Sequence, residues 1–411
     1  MVPKGWELSS IGKISDVSSG GTPSRNNEAY WNGNIPWVTT AEVQFKIIED
    51  TVEKITEEGL ANSSAKLFPA GTILMAMYGQ GKTRGQVAKL GIDASTNQAC
   101  AAIVLHTGYE VDFYYQFLIS QYENIREMAN SGGQQNLSGG IVKSIPVPVP
   151  PLTEQKKIAK ILSTWDKAIS VTEKLLANSQ QQKKALMQQL LTGKKRLLDE
   201  NGVRFSTQWE FKRISEIATR VQRKNDAAEH PILTISSLSG FVRQDERYSR
   251  YMAGESVKNY ILLKKGEFAY NKGNSKTYEF GCIFDLEAYE AGLVPHVYVC
   301  FRLKNGLSHR YFKYLFEADY LKPQLGALVN TGVRNNGLLN IKPTEFMQTK
   351  VPVPCFEEQE SIADMLYNSS RTIRVLQDKL ACLKDEKKAL MQQLLTGKRR
   401  VKVEAEEAVS A

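Results

Sequence analysis

Hydrophobic side chains recur at alternating spacings of three and four residues in two long stretches of the chain. In the first stretch the repeating positions are Leu162, Trp165, Ile169, Thr172, Leu176, Ser179, Lys183, Leu186 and Leu190. In the second stretch they are Leu366, Ser369, Ile373, Leu376, Leu380, Leu383, Lys387, Leu390 and Leu394. This spacing is typical of a coiled-coil seam. The pattern therefore favours two long helices that pack together over the alternative of two unrelated core helices.

Each predicted helix follows a proline-containing segment that cannot itself be helical. The segments 147–150 and 351–354, both Val-Pro-Val-Pro, should be extended because proline fixes φ and disfavours helix in the residue before it. Thr153 is expected to cap the first helix. Glu154 in the first helix, and Glu357 and Glu358 in the second, suit the positive end of the helix dipole.

Glycine and basic residues mark the predicted ends of both helices. Gly193 and Gly397 can adopt the left-handed conformation that stops a helix. The basic clusters 194–196 and 398–400 suit the negative end of the dipole. Partner proteins are expected to dock on the helices and on these basic ends. The seam lysine of each helix either fixes register and assembly or extends its charge to solvent.

An internal repeat relates the two halves of the chain. The segment from Lys183 to Lys194 recurs without change from Lys387 to Lys398, at an offset of 204. The same offset superimposes the two Val-Pro-Val-Pro segments and the Glu-Gln pairs that open the helices. At an offset of 203, the Trp-Glu-Leu of residues 6–8 aligns with Trp-Glu-Phe at 209–211. Two copies indicate a tandem duplication, because a solenoid needs three or more repeats.

Segment lengths predict the direction of the helices. Each helix would span about 57 Å, whereas the second lobe should be about 40 Å across, so antiparallel helices bring the two ends of that lobe together. The predicted fold class is α+β, with two pseudo-repeated globular α/β domains joined by two long antiparallel coiled-coil helices in a pseudo-twofold arrangement. The predicted domains are an N-terminal lobe at 1–148, a first spacer helix at 149–198, a C-terminal lobe at 199–352, a second spacer helix at 353–400, and an acidic tail, expected to be disordered, at 401–411.

Polar, glycine-containing turns occupy matched positions in the two lobes. Their hydroxyls, amides and cations suit contacts with phosphates and base edges, although each turn alone could be an ordinary solvated loop. The candidate DNA-binding residues of the first lobe are Thr22, Ser24, Arg25, Asn26, Asn27, Tyr78, Gln80, Lys82, Thr83, Arg84, Gln134 and Gln135. Those of the second lobe are Arg220, Gln222, Arg223, Lys224, Tyr270, Asn271, Lys272, Asn274, Ser275, Lys276, Tyr278, Arg334, Asn335 and Asn336.

Other residue types that carry chemistry give weaker signals. Tyr30, Trp31 and Trp37 are expected to pack within the first lobe and not to stack on bases. The 5 cysteines are scattered and the 4 histidines lack ligand spacing, so we expect reduced thiols and no metal site. The apolar stretches are too short to cross a membrane and no secretory signal is visible, so a cytoplasmic location without membrane contact is expected.

The net charge of +9 over 411 residues is unevenly distributed. Lys and Arg minus Asp and Glu give −3 for residues 1–148, +7 for 149–198, +5 for 199–350 and zero for 351–411. Charge therefore permits nucleic-acid binding by the second lobe and the first helix, and leaves the first lobe to local loops.

Several motifs together resemble the specificity subunits of type I restriction–modification systems, over essentially residues 1–400. They are Gly-Gly-Thr-Pro-Ser at 20–24, Tyr-Trp at 30–31, Ile-Pro-Trp at 35–37, Pro-Pro-Leu-Thr-Glu-Gln at 150–155, and Leu-Leu-Thr-Gly-Lys at 190–194 and 394–398. The second lobe departs from this pattern, because it lacks the first two motifs and has Cys355-Phe356 where the first copy has Pro151-Leu152.

This resemblance implies a function for the whole chain. In that family each lobe is a target-recognition domain that reads one half of a split, asymmetric site in double-stranded DNA. The helices set the spacing and bind two copies of a methyltransferase subunit, to which motor–nuclease subunits can be added. The chain itself would be non-catalytic and without a cofactor, with S-adenosylmethionine, ATP and Mg²⁺ held by the partners.

Two other functions compete with this interpretation. A P-loop nucleotide hydrolase would use Gly81, Lys82 and Thr83, but its motif requires glycine where Ala76 stands and a helix directly after the threonine. A coiled-coil scaffold or adaptor without DNA contact needs only the helices. Retardation of DNA by the purified complex separates the adaptor from the DNA-reading subunit.

The helices should act as a ruler for the DNA site. A helix of about 57 Å and a rise of about 3.4 Å per base pair limit the separation of the half-sites to about 17 base pairs, with a total site nearer to about 12–16. Inserting one helical turn of four residues before Gly193, and the same before Gly397, should lengthen the unread spacer by about one or two base pairs. Methylation mapping measures the spacing; a change in the bases read, with the spacer unaltered, would refute the ruler.

Overall fold

The computed structural model describes residues 2–79, 81–130, 136–226, 229–247, 254–273, 275–329 and 339–403. The chain divides into two compact units, unit 1 with residues 1–173 and 378–411, and unit 2 with residues 174–377. Each unit therefore contains one lobe, the beginning of the long helix that follows it and the end of the other long helix. The predicted acidic tail lies, from residue 404 onward, outside the described residues.

The first lobe alternates short strands with short helices. Its strands are β1 (Glu7–Ser10), β2 (Ser15–Ser19), β3 (Trp31–Val38), β4 (Ile47–Ile48), β5 (Glu53–Ile55), β6 (Ile73–Ala76), β7 (Val87–Leu90), β8 (Ser95–Thr96), β9 (Cys100–Leu105) and β10 (Pro146–Val149). Its helices are α1 (Ile11–Ile14), α2 (Glu57–Ala61), α3 (Val111–Ser120), α4 (Tyr122–Asn130) and α5 (Gly139–Ser144), and the long helix α6 (Leu152–Leu190) follows.

The main sheet of unit 1 has the strand order β2-β9-β6-β7-β4, and a smaller sheet has the order β5-β3-β8. Strand β6 is apolar throughout because it is covered on both faces. Its alternate residues enter different cores, Ile73 and Met75 on one side and Leu74 and Ala76 on the other. Strands β1 and β10 form a separate antiparallel ribbon that joins the two ends of the lobe.

The second lobe repeats this arrangement of strands and helices. Its strands are β11 (Glu210–Arg213), β12 (Ala218–Arg220), β13 (Leu233–Ser236), β14 (Gly240–Arg243), β15 (Ile261–Lys264), β16 (Phe268–Asn271), β17 (Cys282–Asp285), β18 (Ala291–Val294), β19 (Val299–Leu303) and β20 (Lys350–Val353). Its helices are α7 (Ile214–Ile217), α8 (Gln244–Arg247), α9 (His309–Glu317), α10 (Lys322–Leu328) and α11 (Pro343–Met347), and the long helix α12 (Phe356–Leu394) follows.

Corresponding strands pair in the same way in both units. The order β12-β19-β16-β17 in unit 2 matches the β2-β9-β6-β7 part of unit 1. The ribbon β11–β20 has the register of β1–β10, with Glu210 opposite Val353 as Glu7 is opposite Val149. The Val-Pro-Val-Pro segments are thus extended, as expected, and they serve as the last strand of each lobe.

The long helices run antiparallel within each unit. In unit 1, Ile158 and Leu162 near the start of α6 share a core with Met391 and Leu394 near the end of α12. In unit 2, Leu190 near the end of α6 likewise shares a core with residues near the start of α12. Every predicted seam position is buried or half-buried, from 162 to 190 and from 366 to 394. The predicted direction of the helices is therefore confirmed.

The predicted helix ends are correct, but the predicted cap is not. Gly193 and Gly397 adopt φ of +72° and +69°, as a left-handed stop requires. Thr153 lies inside α6, because the carbonyl oxygen of Pro151 accepts the first hydrogen bonds, from the backbone N–H groups of Glu154 and residue 155. The cap prediction for Thr153 was wrong, because the helix begins at Leu152, two residues earlier than a cap at Thr153 implies.

A buried carboxylate at the start of α6 joins three segments of unit 1. Glu154 accepts hydrogen bonds from the Trp6 indole (3.3 Å) and from the Arg400 guanidinium (Nε, 2.8 Å). The hydrogen bond to Glu154 raises the pKa of Arg400 above its usual range. This set of side chains, which we call the closure contact, fastens the first strand of the lobe to the start of one helix and the segment that follows the other.

Unit 2 contains the same closure contact at equivalent residues. Glu358 accepts hydrogen bonds from the Trp209 indole (2.8 Å) and from the Arg196 guanidinium (2.6 and 2.7 Å). Gly193 packs under the Trp209 ring, where an added Cβ would lie 3.3 Å from the ring. The third residue of each basic cluster is therefore used inside its own unit, and the two basic residues before it, Lys194 and Lys195 in one copy and Lys398 and Arg399 in the other, remain for a partner.

The glutamine of each Glu-Gln pair also has a structural role. Gln155 donates to the carbonyl oxygen of Pro150 (2.8 Å) and accepts from the backbone N–H of Glu110 (2.9 Å), just before α3. Gln359 makes the equivalent pair of bonds, with Pro354 (2.8 Å) and with Ser308 before α9 (2.9 Å). Each glutamine thus links the last strand of a lobe to a helix of the same lobe.

Both seam lysines form ion pairs and do not extend to solvent. Lys387 Nζ lies 2.6 Å from a carboxylate oxygen of Asp166 on the facing helix, and its side chain is 12% exposed. Lys183 Nζ lies 2.5 Å from Glu317 of α9, and its side chain is 14% exposed. The same lysine therefore has a different acidic partner in each unit.

Replacing the two buried carboxylates should have unequal effects. Glu358→Gln should lower the free energy of unfolding by about 3 kcal/mol, because its side chain is 0% exposed and Arg196 would lose its charge partner. Glu154→Gln should cost about 1–2 kcal/mol, because Arg400 is 40% exposed and can be solvated. Urea unfolding of the full chain measures both, with the exposed Glu357→Gln as a control. Equal losses would contradict this ranking.

Candidate nucleic-acid interface

The glycine turn at residues 20–24 is built into the first lobe by tryptophans. A Cβ on Gly20 or Gly21 would meet backbone atoms at 2.0 and 2.4 Å, so both positions exclude any larger residue. The Trp37 indole donates to the carbonyl oxygen of Gly21 (2.9 Å), and the Trp31 indole donates to that of Ser24 (3.1 Å). The expected packing role of these tryptophans is confirmed.

The polar residues at the end of this turn differ in how freely they can reach a ligand. Ser24 and Asn26 are exposed. Arg25 is half-exposed but lies 3.8 Å above the Trp31 ring and pairs with Glu53. Thr22 bonds to Gln98, and Asn27 accepts from the backbone N–H of Ala29 (3.1 Å). A DNA contact by Arg25, Thr22 or Asn27 would compete with these bonds.

Side chains of helix α4 hold the backbone of the turn at residues 78–84 by hydrogen bonds. Tyr122 donates to the carbonyl oxygen of Lys82, and Arg126 donates to that of Gly81 (2.8 Å). The side chains of Tyr78 and Lys82 are exposed, whereas Thr83 and Arg84 are half-buried. The backbone is therefore held while two side chains point outward, which is a suitable arrangement for phosphate or base contacts.

The segment 220–224 of the second lobe contains one residue with a structural role. Arg223 makes a two-pronged contact with Glu267 (2.9 and 3.1 Å), and it donates to the carbonyl oxygen of Leu262 (2.9 Å). The hydrogen bond to Glu267 raises the pKa of Arg223, and the Glu267 side chain is only 4% exposed. Its neighbours Arg220, Gln222 and Lys224 are exposed.

Two predicted contacts in the turn 270–278 are wrong. Tyr270 is fully buried in β16, stacked on Phe346 at 4.5 Å. Tyr278 is 9% exposed and donates to the backbone of Glu317. Strands β6 and β16 correspond, and Tyr270 has the position in β16 that the buried Met75 has in β6, whereas the exposed Tyr78 follows β6.

Other residues of this turn combine local bonds with exposure. Asn271 accepts from the backbone N–H of Gly273 (3.0 Å), and Ser275 accepts from that of Tyr278 (3.0 Å). Lys272 is half-buried, and Lys276 is exposed. The candidates that lie outside the described residues are Gln80, Gln134, Gln135, Asn274, Arg334, Asn335 and Asn336.

The charge of the protein is concentrated in unit 2. Residues 174–377 contain 30 Lys and Arg against 21 Asp and Glu, a net charge of +9, and unit 1 is neutral with 23 of each. The difference in net charge between the two halves is therefore larger when the chain is divided into these units than when it is divided at the predicted domain boundaries. Such a charge attracts a polyanion to unit 2.

Two arginines of α12, Arg371 and Arg374, are further candidates for contact with a nucleic acid, and the prediction from glycine-containing turns did not include them. They are exposed and lie outside the seam. The signal that identifies them is a difference between the helix copies, since the equivalent residues of α6 are Lys167 and Ser170.

The described residues include no group of histidine, cysteine and acidic side chains that could hold a metal ion. Burial raises the pKa of the Cys100, Cys282 and Cys300 thiols to about 12, so these thiols are protonated at neutral pH. Within the same part of the chain, no helix has both the length and the apolar character needed to cross a membrane.

Residues 3–178 match the family described as type I restriction modification DNA specificity domain. The chain is 32% identical over 178 residues to the type I restriction enzyme MjaIX specificity subunit of Methanocaldococcus jannaschii, and 30% identical over 176 residues to the EcoR124I/EcoR124II specificity subunit of Escherichia coli. These alignments span only 40% and 43% of the two relatives. An alignment that covers 98% of this chain and 94% of the relative gives 25% identity to the MjaVIII specificity subunit of M. jannaschii.

The chain is therefore similar to type I restriction–modification specificity subunits, and residues 3–178 match their DNA specificity domain. The fold agrees, since a crystal structure of the type I restriction–modification S subunit from M. genitalium superimposes with a TM-score of 0.58 over 96% of both chains, at 15% identity. A second structure, from work on complex assembly of the type I R-M system, gives a TM-score of 0.55 over 96% of this chain and 98% of that chain, also at 15% identity. The specificity-subunit fold expected from the sequence, two lobes joined by long antiparallel helices, is therefore confirmed.

Two neighbouring arginines of the second lobe should respond differently to replacement. Arg223→Ala should lower the free energy of unfolding by about 3 kcal/mol, because it leaves the buried Glu267 without its charge partner. Arg220→Ala should leave unfolding unchanged, and if Arg220 contacts a phosphate the slope of log DNA affinity against log salt should fall by about one. Urea unfolding and DNA titration distinguish the two residues; a stable Arg223→Ala protein would show that this arginine is free to bind DNA.

Proposed function

We propose that this chain is the DNA-reading subunit of a type I restriction–modification complex. It binds a bipartite, asymmetric DNA target, with one half-site read by each lobe, and it recruits methyltransferase and restriction subunits. As a specificity subunit it is a targeting component and not itself an enzyme. In this proposal S-adenosylmethionine, ATP and Mg²⁺ bind to the partner subunits, and the complex acts on DNA in the cytoplasm.

The observation that carries the proposal is the contrast between identical helix ends and different lobes. In the repeated segment of α6, Ala185, Gln188, Gln189 and Thr192 are exposed. The equivalent residues of α12 are identical and equally exposed, although packing does not require exposed residues to be the same. Identical surfaces suit two copies of one partner, which we propose is the methyltransferase subunit.

The lobes, in contrast, share a plan but not their turns. The first lobe presents Ser24, Asn26, Tyr78 and Lys82 on well-packed turns, and it belongs to a neutral unit. The second lobe lacks the Gly-Gly-Thr-Pro-Ser turn and belongs to a unit of charge +9. Two lobes with one scaffold and different turns are suited to reading two different sequences, because specificity lies in base contacts and the scaffold only positions them.

Exchange of one lobe tests this assignment. Replacing residues 199–350 with the equivalent lobe of a relative should change one half-site and leave the other half-site and the spacer unaltered. The closure contact at Glu358 and the ribbon between β11 and β20 should be kept by matching the donor residues at those positions. Methylation mapping of DNA from cells that carry the exchanged chain, with the partner subunits, measures the result.

The control is the same exchange in the first lobe, residues 9–145, which should change only the other half-site. Loss of methylation at both half-sites in a complex that still assembles would contradict independent reading by the lobes. Methylation that does not depend on this chain at all would refute the proposed function and favour a scaffold role.

A further inference from the structure

Unit 2 contains a cleft of about 470 Å³ between α9 and the first half of α12. It is lined by five lysine and arginine side chains but by only two carboxylates, those of Glu287 and Glu317. The cations are Lys183, Arg310, Lys313, Arg371 and Arg374. The cleft is open to solvent on the side of α12, where both of the helix's arginines are exposed.

Both carboxylates of the cleft already have cationic partners. Glu317 pairs with Lys183 (2.5 Å), and Glu287 pairs with Lys313. Lys313 chiefly, and Arg374 to a smaller degree, lower the pKa of Glu287. Neither carboxylate is therefore available as the main partner of a further cation.

The three arginines of the cleft differ in whether a carboxylate contacts them. Arg310 is held by Glu360 (2.6 Å) and Asp364 (2.7 Å) on α12. Arg371 and Arg374 form no hydrogen bond or ion pair within the part of the chain that the structure describes. Within that part of the chain, two positive charges in the cleft thus lack a carboxylate in direct contact, although Arg374 lies near enough to Glu287 to lower its pKa.

Hydroxyl groups lie on the same helix face as these two arginines. Tyr367 and Ser370 precede Arg371 and Arg374 at helical spacings of three and four, and all four residues line the cleft. The two guanidinium groups and the Tyr367 hydroxyl can together donate to the oxygens of one phosphate, and arginine matches phosphate geometry with paired N–H groups. The Ser370 hydroxyl donates to the carbonyl oxygen of Leu366 (2.8 Å) and leaves the site uncharged at this position. The donor set of the cleft therefore fits a phosphate group.

At the equivalent position of unit 1, the lysine of the seam is neutralised by a carboxylate of the facing helix. Asp166 occupies the position of Ser370, and it binds both Lys387 (2.6 Å) and Gln116 (2.5 Å). Lys167 stands in place of Arg371, and an uncharged serine in place of Arg374. A feature needed for docking the same partner on both units would be present in both, so this cleft serves a ligand that is engaged by unit 2 alone.

The surroundings of the cleft indicate which phosphate-bearing ligand is suitable. A second cleft shares Glu287, Lys313 and Glu317 with it and extends to Thr277 and Tyr278, which follow the exposed candidate residue Lys276. The unit as a whole carries the charge of +9. Both observations favour a polyanion over a small isolated anion.

We propose that this cleft is a phosphate-binding site, and that in the DNA complex it holds a backbone phosphate beside the half-site read by the second lobe. The proposal that the phosphate belongs to DNA rests on the proposed function, whereas the phosphate site itself does not. The site contributes affinity without base specificity and has no counterpart in unit 1.

Two variants of the full chain, in its complex with the methyltransferase, test the site. The first is the double replacement Arg371→Ala and Arg374→Ala. The second is Ser370→Asp, which introduces at one position the acid that α6 already accommodates as Asp166. Each should lower the slope of log DNA affinity against log salt, the double replacement by about one, because the loss of one phosphate contact removes about 0.9. Base preference should be unchanged.

The matched control is Lys167→Ala, the equivalent position in unit 1, which should leave the slope unchanged. A second measurement compares the melting temperature of the full chain in inorganic phosphate and in chloride at equal ionic strength. Phosphate should raise the melting temperature of the unaltered protein and not that of the double variant. Melting in chloride establishes that each variant is folded, and Arg371→Lys with Arg374→Lys, which keeps both charges, should retain most of the slope.

The outcomes separate the source of the phosphate from the existence of the site. A lower slope supports a DNA phosphate; an unchanged slope with loss of the phosphate effect supports a site for a free phosphate ligand and rejects DNA. If neither quantity changes in folded variants, the proposal is overturned, including the case where only binding of the methyltransferase is lost. Failure of the unaltered complex to bind DNA would refute the proposed function, and the phosphate measurement would still decide on the cleft.

Discussion

The buried glutamate at the start of each long helix is the constraint on which both units depend. Its carboxylate can be buried only because an arginine from the end of the other helix and a tryptophan from the first strand of the lobe both donate to it. A parallel pair of helices would separate these groups. The closure contact therefore fixes helix direction, the entry of the chain into each lobe and the composition of each unit in a single interaction.

This constraint has different consequences for the two units. Unit 2 is one continuous segment, so the partners Arg196 and Glu358 are 162 residues apart and belong to a stretch that can close by itself. Unit 1 needs both ends of the chain, since Arg400 and Glu154 are 246 residues apart. The entropy of closing a loop rises only slowly with its length, but the last helix must be synthesised before unit 1 is complete. Unit 1 therefore cannot complete its folding until the last helix has been synthesised.

The long helices could be predicted from the sequence because their signals are local and repeated. The seam period, the stop glycines and the duplicated segment all agree with one another, and the structure has the helices at Leu152–Leu190 and Phe356–Leu394. The closure contact could not be predicted, because Glu154 and Arg196 each have a sufficient local explanation at a helix end. Their actual partners lie far away in sequence, and a pattern of spacing contains no information about them.

Prediction of the binding turns failed where a strand extends into the segment that was expected to be a turn. Tyr78 follows β6 and is exposed, whereas Tyr270 lies within β16, which is covered on both faces, so that Ala269 and Tyr270 are both buried. Arg223 was misjudged for a related reason, because its partner Glu267 precedes a strand more than forty residues later. Polar residues in a turn are therefore candidates only until their internal partners are known.

Duplication followed by divergence explains how one scaffold can support an asymmetric function. The parts that hold each unit together are the same in both copies, namely the closure contact, the strand ribbon and the glutamine that links ribbon and helix. The parts free to change have diverged in charge, so that the seam lysine meets Asp166 on the facing helix in unit 1 and Glu317 of the lobe in unit 2. In unit 2 a serine stands at the position of Asp166, and Arg371 and Arg374 stand at the positions of Lys167 and Ser170. Substitutions at three positions within a retained framework thus distinguish a neutral, structural contact in unit 1 from a surface of excess positive charge in unit 2, while the repeated helix ends remain identical.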